Sequence, residues 1–205
     1  MKIAVVGAAG MVGSRVVTEA LRRGHDVTAV FRSQVAVVPE GVRAVRGDAT
    51  DRELTDGLLS GVEGVVAATR PRPGEEPTAG PATRALLDAA HATRTRIIVV
   101  GGAGPLRSPD GSKLVLDDER YVPTHIRPIA AASVHQLDVC RAHPADWVYL
   151  SPPALLEPGE RTGTYRRGTD VLLTDPSRIS AEDLAVAVLD ELVNPGTDRH
   201  FTVAW

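Results

Sequence analysis

The residues Lys2-Ile3-Ala4-Val5-Val6-Gly7-Ala8-Ala9-Gly10-Met11-Val12-Gly13 constrain this chain more than any other stretch. Ile3 to Val6 form a short continuous apolar run rich in β-branched residues, the pattern of a strand buried on both faces. Beyond Gly10, the residues Val12, Val16, Val17, Ala20 and Leu21 recur on one helical stripe, which ends at Arg22-Arg23-Gly24. Strand, tight turn and helix therefore follow one another directly. In that arrangement Gly7 permits the turn, Gly10 lets backbone come close to a ligand, and Gly13 lets the helix pack closely on the sheet. The unpaired N–H groups and dipole of the helix N-terminus favour an anion, and a pyrophosphate needs no side-chain charge there. Gly7, Ala9, Gly10, Met11, Val12 and Gly13 are thus the first members of an expected dinucleotide site.

The second strand, Asp26 to Phe31, carries the selecting end of that site at Arg32-Ser33. A site for NAD usually places an acid about 20 residues beyond the glycines to hold the ribose hydroxyls. Here the position holds Arg32 and Ser33. A guanidinium fork suits a 2′-phosphate, and the missing carboxylate removes a source of repulsion. NADP(H) is the expected cofactor, with NAD(H) still usable. A third strand, Val42 to Arg46, ends in Gly47-Asp48-Ala49-Thr50. Asp48, beside Ala49, is either an acceptor for the adenine amino group or the cap of the following turn. Thr50-Asp51-Arg52-Glu53 reads as a capping box for a helix carrying Leu54, Leu58 and Leu59. Gly64 to Ala68 is a fourth, buried strand, with Thr69-Arg70-Pro71 at its carboxyl end, where ligands sit in an open α/β sheet. Ala67 and Ala68 leave room for the dinucleotide, and Thr69 and Arg70 are within reach of ribose or pyrophosphate. The segment Pro71 to Pro81 reads as a mobile loop bordering the site. After a helix with Leu86, Leu87 and Ala90 on one face, a fifth strand, Arg96 to Val100, runs into Gly101-Gly102-Ala103-Gly104. Gly101 and Gly102 either let backbone approach the nicotinamide or simply turn the chain.

Composition excludes several classes. The 205 residues, 43% hydrophobic, suffice for one α/β domain and are too few for two. A net charge of −3 argues against a dedicated nucleic-acid protein. No apolar run approaches the roughly 20 residues of a membrane span, and no secretory leader is expected ahead of the first strand. The single cysteine, Cys140, cannot form an internal disulfide, and a soluble cytoplasmic protein is expected. The six histidines are scattered without the spacing of a zinc site, so no metal is expected.

Together, GAAGMVG at 7–13, GDATD at 47–51, VVGGAG at 99–104 and RISAEDLAVAVLDEL at 178–192 resemble the atypical short-chain dehydrogenase/reductases that bind NAD(P)H. That group includes NADH-flavin reductases and relatives of the biliverdin-IXβ reductases. The resemblance covers nearly the whole chain. It implies a Rossmann-like, doubly wound parallel sheet in the order 3-2-1-4-5-6-7 within a single domain, 1–205, with residues 155–177 as a small substrate-side cap. It also implies a loop from Pro105 to Pro128, carrying Tyr121 and His125, over the substrate. At Ser151-Pro152-Pro153, extended short-chain enzymes have Arg-Pro-Gly, and the backbone near Pro152 would meet the nicotinamide carboxamide.

One departure limits the chemistry. The Tyr-Lys pair, four residues apart, that transfers the proton in better-known short-chain dehydrogenases is absent. The helix from about Ile129 to Ala142 has Ser133, His135 and Gln136 at comparable places. Without a lysine to lower a tyrosine's pKa, ketone reduction by that route is disfavoured. A flavin or quinone accepts hydride on a conjugated system and asks less of a proton donor. The expectation is a reductase of such an acceptor, with Ser133, His135, Tyr121 and His125 as candidate catalytic residues and Tyr165 either stacked on a planar ligand or packed at the surface. Two other classes stay open: a cofactor-binding sensor without turnover, and an isomerase or tailoring enzyme. The partner is a small molecule in either enzyme reading, and monomer and homodimer are equally compatible with the sequence.

Overall fold

The structure, a computed structural model, describes residues 1–33, 37–51, 57 and 59–205. Among these, eight strands form one sheet in the order β3-β2-β1-β4-β5-β6-β10-β8. The strands are β1 (Lys2–Val6), β2 (Asp26–Phe31), β3 (Val42–Arg46), β4 (Gly64–Ala67), β5 (Arg96–Val100), β6 (Trp147–Ser151), β8 (Arg166–Gly168) and β10 (His200–Ala204). The first seven in that order are parallel, and β8 closes the edge antiparallel to β10. The expected order therefore holds, with β10 as its seventh strand.

Burial explains the central position of β1. Ile3, Val5, Val66, Ile98, Val148 and Leu150 point to one face of the sheet and Ala4, Val65, Ile97, Val99 and Trp147 to the other, all in the core. The apolar runs carry no polar face because helices cover both sides. Helix α1 (Met11–Arg22) and helix α4 (Ala181–Val193) cover the first face; α2 (Ala79–Thr93) and α3 (Arg127–Arg141) cover the second. The two edge strands, β3 and β8, are largely exposed. Of the helix expected after Thr50, the residues Arg52, Glu53, Leu54 and Leu58 lie outside the described residues; Leu59 is fully buried.

Two features of the second half were not apparent from its sequence. The segment 155–177 contributes to two different sheets. Leu155–Glu157 (β7) pairs in parallel with Arg178–Ser180 (β9), whereas Arg166–Gly168 extends the main sheet. The long loop after β5 is anchored by a small core of its own, Leu106, Val115, Val122, Ala130 and Leu172. Among the described residues, no helix is long and apolar enough to cross a membrane.

Candidate functional site

The carboxyl ends of β1, β2 and β4 open on a cavity of about 490 Å3. Its floor is the first turn. Gly7 takes φ +86, and a Cβ there would press on the Ala68 carbonyl, so the turn admits little but glycine. Gly10 is the N-cap of α1 and provides no side-chain acceptor; the first helical bond runs from the Ser14 N–H to the Gly10 carbonyl. The N-terminus of α1 thus meets the cavity with its dipole unopposed, as an anion requires. Gly13 serves packing instead: a Cβ there would fall on the Gly7 carbonyl oxygen. These positions fit a dinucleotide.

Of the expected cofactor residues, Gly7, Ala9, Gly10, Arg32, Ser33, Asp48, Ala49, Ala68, Thr69 and Arg70 line this first cavity. Ala67 does not; it is 2% exposed and faces the core under α2 and α3. Asp48 accepts from the Thr50 N–H at 2.9 Å and the Thr50 hydroxyl at 2.7 Å, through one oxygen. These bonds hold its carboxyl below the usual range, with Arg32 adding a smaller push. Asp48 therefore caps its turn while bordering the cavity. Arg32 is 3.4 Å from Glu75, which stands on the opposite wall. Arg70 makes no hydrogen bond or ion pair among the described residues.

A second cavity, of about 390 Å3, adjoins the first. The two share Gly10, Ala68, Thr69, Arg70, Pro71 and Ala79. Met11, Val12, Gly101, Gly102 and Pro152, all expected at the cofactor, line only this second one. Its remaining wall is mainly apolar, with Val122, Ile126, Ile129, Leu155 and Leu156 around the polar Tyr121, Ser133 and Gln136. Gly101 and Gly102 are small for a reason internal to the fold. A Cβ on Gly101 would overlap the Tyr149 phenol, and one on Gly102 would lie 2.6 Å from the Ser133 hydroxyl. Tyr149, fully buried, donates to the Ser133 carbonyl at 2.9 Å, and its oxygen lies 3.2 Å from Gln136 Oε1. Gln136 in turn donates to Thr83 at 2.9 Å. Burial drives the Tyr149 phenol well above its ordinary pKa, so it acts as a fixed donor and holds the turn and α3 together.

The four candidate catalytic residues separate. Tyr121 and Ser133 border the second cavity. Ser133 Oγ donates to the Ile129 carbonyl at 3.1 Å, and Tyr121 makes no side-chain hydrogen bond among the described residues. His125 is exposed and lines neither cavity, while His135 packs its ring on Gly80 of α2. Tyr165 stands at the far face, where it donates to Asp190 at 2.8 Å and packs on the core under α1 and α4. Gln136, read from the sequence at a place comparable to the missing pair but not as a catalytic candidate, belongs to the site, as does Leu156, which the sequence did not single out. A polar residue on a buried helical stripe was the available signal for Gln136; the position of Leu156 depends on the non-local β7–β9 pair.

Comparison with known proteins agrees with this geometry. A family described as NAD(P)H-binding matches residues 7–195. YwnB of Bacillus subtilis strain 168, an uncharacterised protein, is 37% identical over 213 residues, covering 99% of this chain and 98% of its own. A solved structure from Streptococcus pneumoniae TIGR4, described as a candidate NADH-flavin reductase, shares 30% identity and a TM-score of 0.89, covering 99% of this chain and 98% of that one. A candidate exported protein from Burkholderia pseudomallei shares 37% identity and a TM-score of 0.86, with 100% of both chains covered. The chain belongs to the NAD(P)H-binding family.

Proposed function

We propose that this member of the NAD(P)H-binding family is an atypical short-chain reductase that uses NADPH to reduce a flavin, a quinone or a similar conjugated acceptor. The observation that carries the reading is the second cavity, open and mainly apolar, sharing a wall with the cavity that fits a dinucleotide. A regulatory protein that only senses the cofactor has no need of that space. The similarity to the streptococcal protein described as a candidate NADH-flavin reductase supports the same acceptor class.

The parts divide as follows. Gly7 and Gly10 with the α1 N-terminus hold the pyrophosphate, Asp48 and Ala49 border the adenine, and Arg32 with Ser33 takes the 2′-phosphate. Bound NADPH supplies a hydride to an acceptor in the adjoining cavity. The residues around that cavity orient the acceptor and keep water out, and holding donor and acceptor in contact is the main catalytic contribution. Leu155 and Leu156 are the part of segment 155–177 that caps the acceptor. The accompanying proton comes from Tyr121, from Ser133 or from solvent. Tyr149 is not the source, because its proton is bound to the Ser133 carbonyl in a fully buried position. His125 and His135 have no part in the chemistry. The Cys140 thiol is buried and raised to about 12, inert to exchange, and takes no part in the chemistry.

The test is anaerobic NADPH oxidation at 340 nm with FMN, riboflavin or a small quinone. Saturable turnover with at least one of them is expected. Tight NADPH binding with no turnover on any conjugated acceptor would contradict the reading and favour a cofactor sensor.

A further inference from the structure

Glu75 lines the first cavity yet has no part in the assignments above. It belongs to the loop after β4 and reaches across the cavity to Arg32 at the end of β2, with Oε2 3.4 Å from the guanidinium. Its other oxygen is 4.0 Å from Arg72. The loop fixes Glu75 by its backbone. The Glu75 N–H donates to the Arg72 carbonyl at 2.8 Å, and the Thr78 N–H and hydroxyl donate to the Glu75 carbonyl at 2.9 and 2.7 Å. Arg32 is therefore partnered, and its partner has the same charge sign as the group it is expected to bind.

We propose that Glu75 is a specificity-determining residue that narrows the preference for NADPH over NADH, by holding the guanidinium that a 2′-phosphate has to take over. The inference rests on Arg32 as the 2′-phosphate ligand. A phosphate entering this end of the cavity competes with the carboxylate for one guanidinium fork, and a displaced carboxylate remains beside it as a like charge. Arg72 moderates the penalty, since Glu75 can turn to it. The other acid lining this cavity, Asp48, bonds Thr50 through one oxygen and acts on Arg32 only by a weaker Coulombic attraction, with no hydrogen bond to it. NADH has no phosphate and leaves the Arg32–Glu75 pair intact, and its ribose hydroxyls can donate to the carboxylate. The chain is thus built to use both cofactors, with a smaller NADPH advantage than Arg32 alone would give.

The test is calorimetric titration of the whole protein with NADPH and with NADH, for the natural sequence, Glu75→Gln, Arg32→Ala and the double variant. An exposed ion pair shifts an equilibrium by up to about fivefold. Glu75→Gln should tighten NADPH by about that factor while leaving NADH unchanged or weaker, and the gain should shrink in the Arg32→Ala background. An unchanged NADPH-to-NADH ratio in Glu75→Gln, or equal tightening of both, would overturn the proposal while Arg32 keeps its role. Equal weakening of both cofactors by Arg32→Ala would overturn the Arg32 assignment and the proposal with it.

Discussion

His200 illustrates how a single residue couples the fold to pH. It enters β10 with its ring against Tyr149 and Nε2 3.0 Å from the Ser151 hydroxyl, while Nδ1 is buried without a partner among the described residues. Burial, with a smaller push from Arg141 against a pull from Asp170, lowers its pKa from 6.5 to about 4. The folded state therefore holds the ring neutral in a range where the unfolded chain would protonate it. The stabilisation is complete above about pH 6.5 and is lost as the pH falls through about 4. The full effect is about 3 kcal/mol by the usual conversion of a pKa shift. Urea unfolding between pH 7 and pH 4.5 should show a steep loss of stability that His200→Gln largely removes; parallel curves for the two proteins would refute it. At this scale the sequence was legible where one residue type answers one local need. Gly7 and Gly13 were read with the right reasons, turn and close packing. The reason for Gly101 lay in Tyr149, distant in sequence, and could not be read locally. The same holds for Glu75, which meets Arg32 across a separation of 43 residues.

Elements were legible where a periodic apolar pattern met a cap. Helix α4 is an example: Ser180 and Asp183, three residues apart, have the pattern of a capping box, and Ser180 accepts from the Asp183 N–H at 3.0 Å. The reciprocal half of that box is not made. The Asp183 carboxylate accepts instead from the Thr162 hydroxyl, the Gly163 N–H and the Trp205 indole, at 2.6, 2.8 and 2.7 Å. The cap thereby ties α4 to the 160–165 segment, and Ser180 adds a bond to the Glu160 carbonyl at 2.7 Å. Glu19 of α1 works similarly from the neighbouring helix, binding Arg161 at 2.8 Å while also paired with Arg22 and Arg23. Losing a serine cap typically costs about 1 kcal/mol, and the second bond raises the figure here toward 2. Ser180→Ala should lower chemical stability by that amount and leave NADPH affinity unchanged, as read by urea unfolding beside a binding titration; no stability loss would show the cap to be dispensable. The short strands β7 and β9 escaped notice because three residues carry no periodic signal and their partners are remote, whereas β8 overlaps a stretch, Gly163 to Arg167, that reads as extended. The start of α2 at Ala79, before Pro81, reflects proline's tolerance in a first helical turn.

For the whole molecule, the parallel order of the sheet follows from buried apolar strands alternating with amphipathic helices, and that pattern was plain along the chain. The adjoining cavities at the carboxyl edge were only half plain. The glycine turn marked the first, but the second is assembled from the loop after β5, from α3 and from β7, and their meeting is a tertiary event. In the proposed function, hydride transfer depends on that meeting. The decisive measurement is acceptor reduction under anaerobic conditions in the natural protein and in Ile129→Trp, with NADPH affinity measured beside it. Ile129 lines the second cavity and not the first. The account predicts that the indole fills the acceptor space, so that reduction falls at least tenfold while NADPH affinity, held mainly by the first cavity, changes far less. Undiminished reduction by a protein whose second cavity is filled would contradict it.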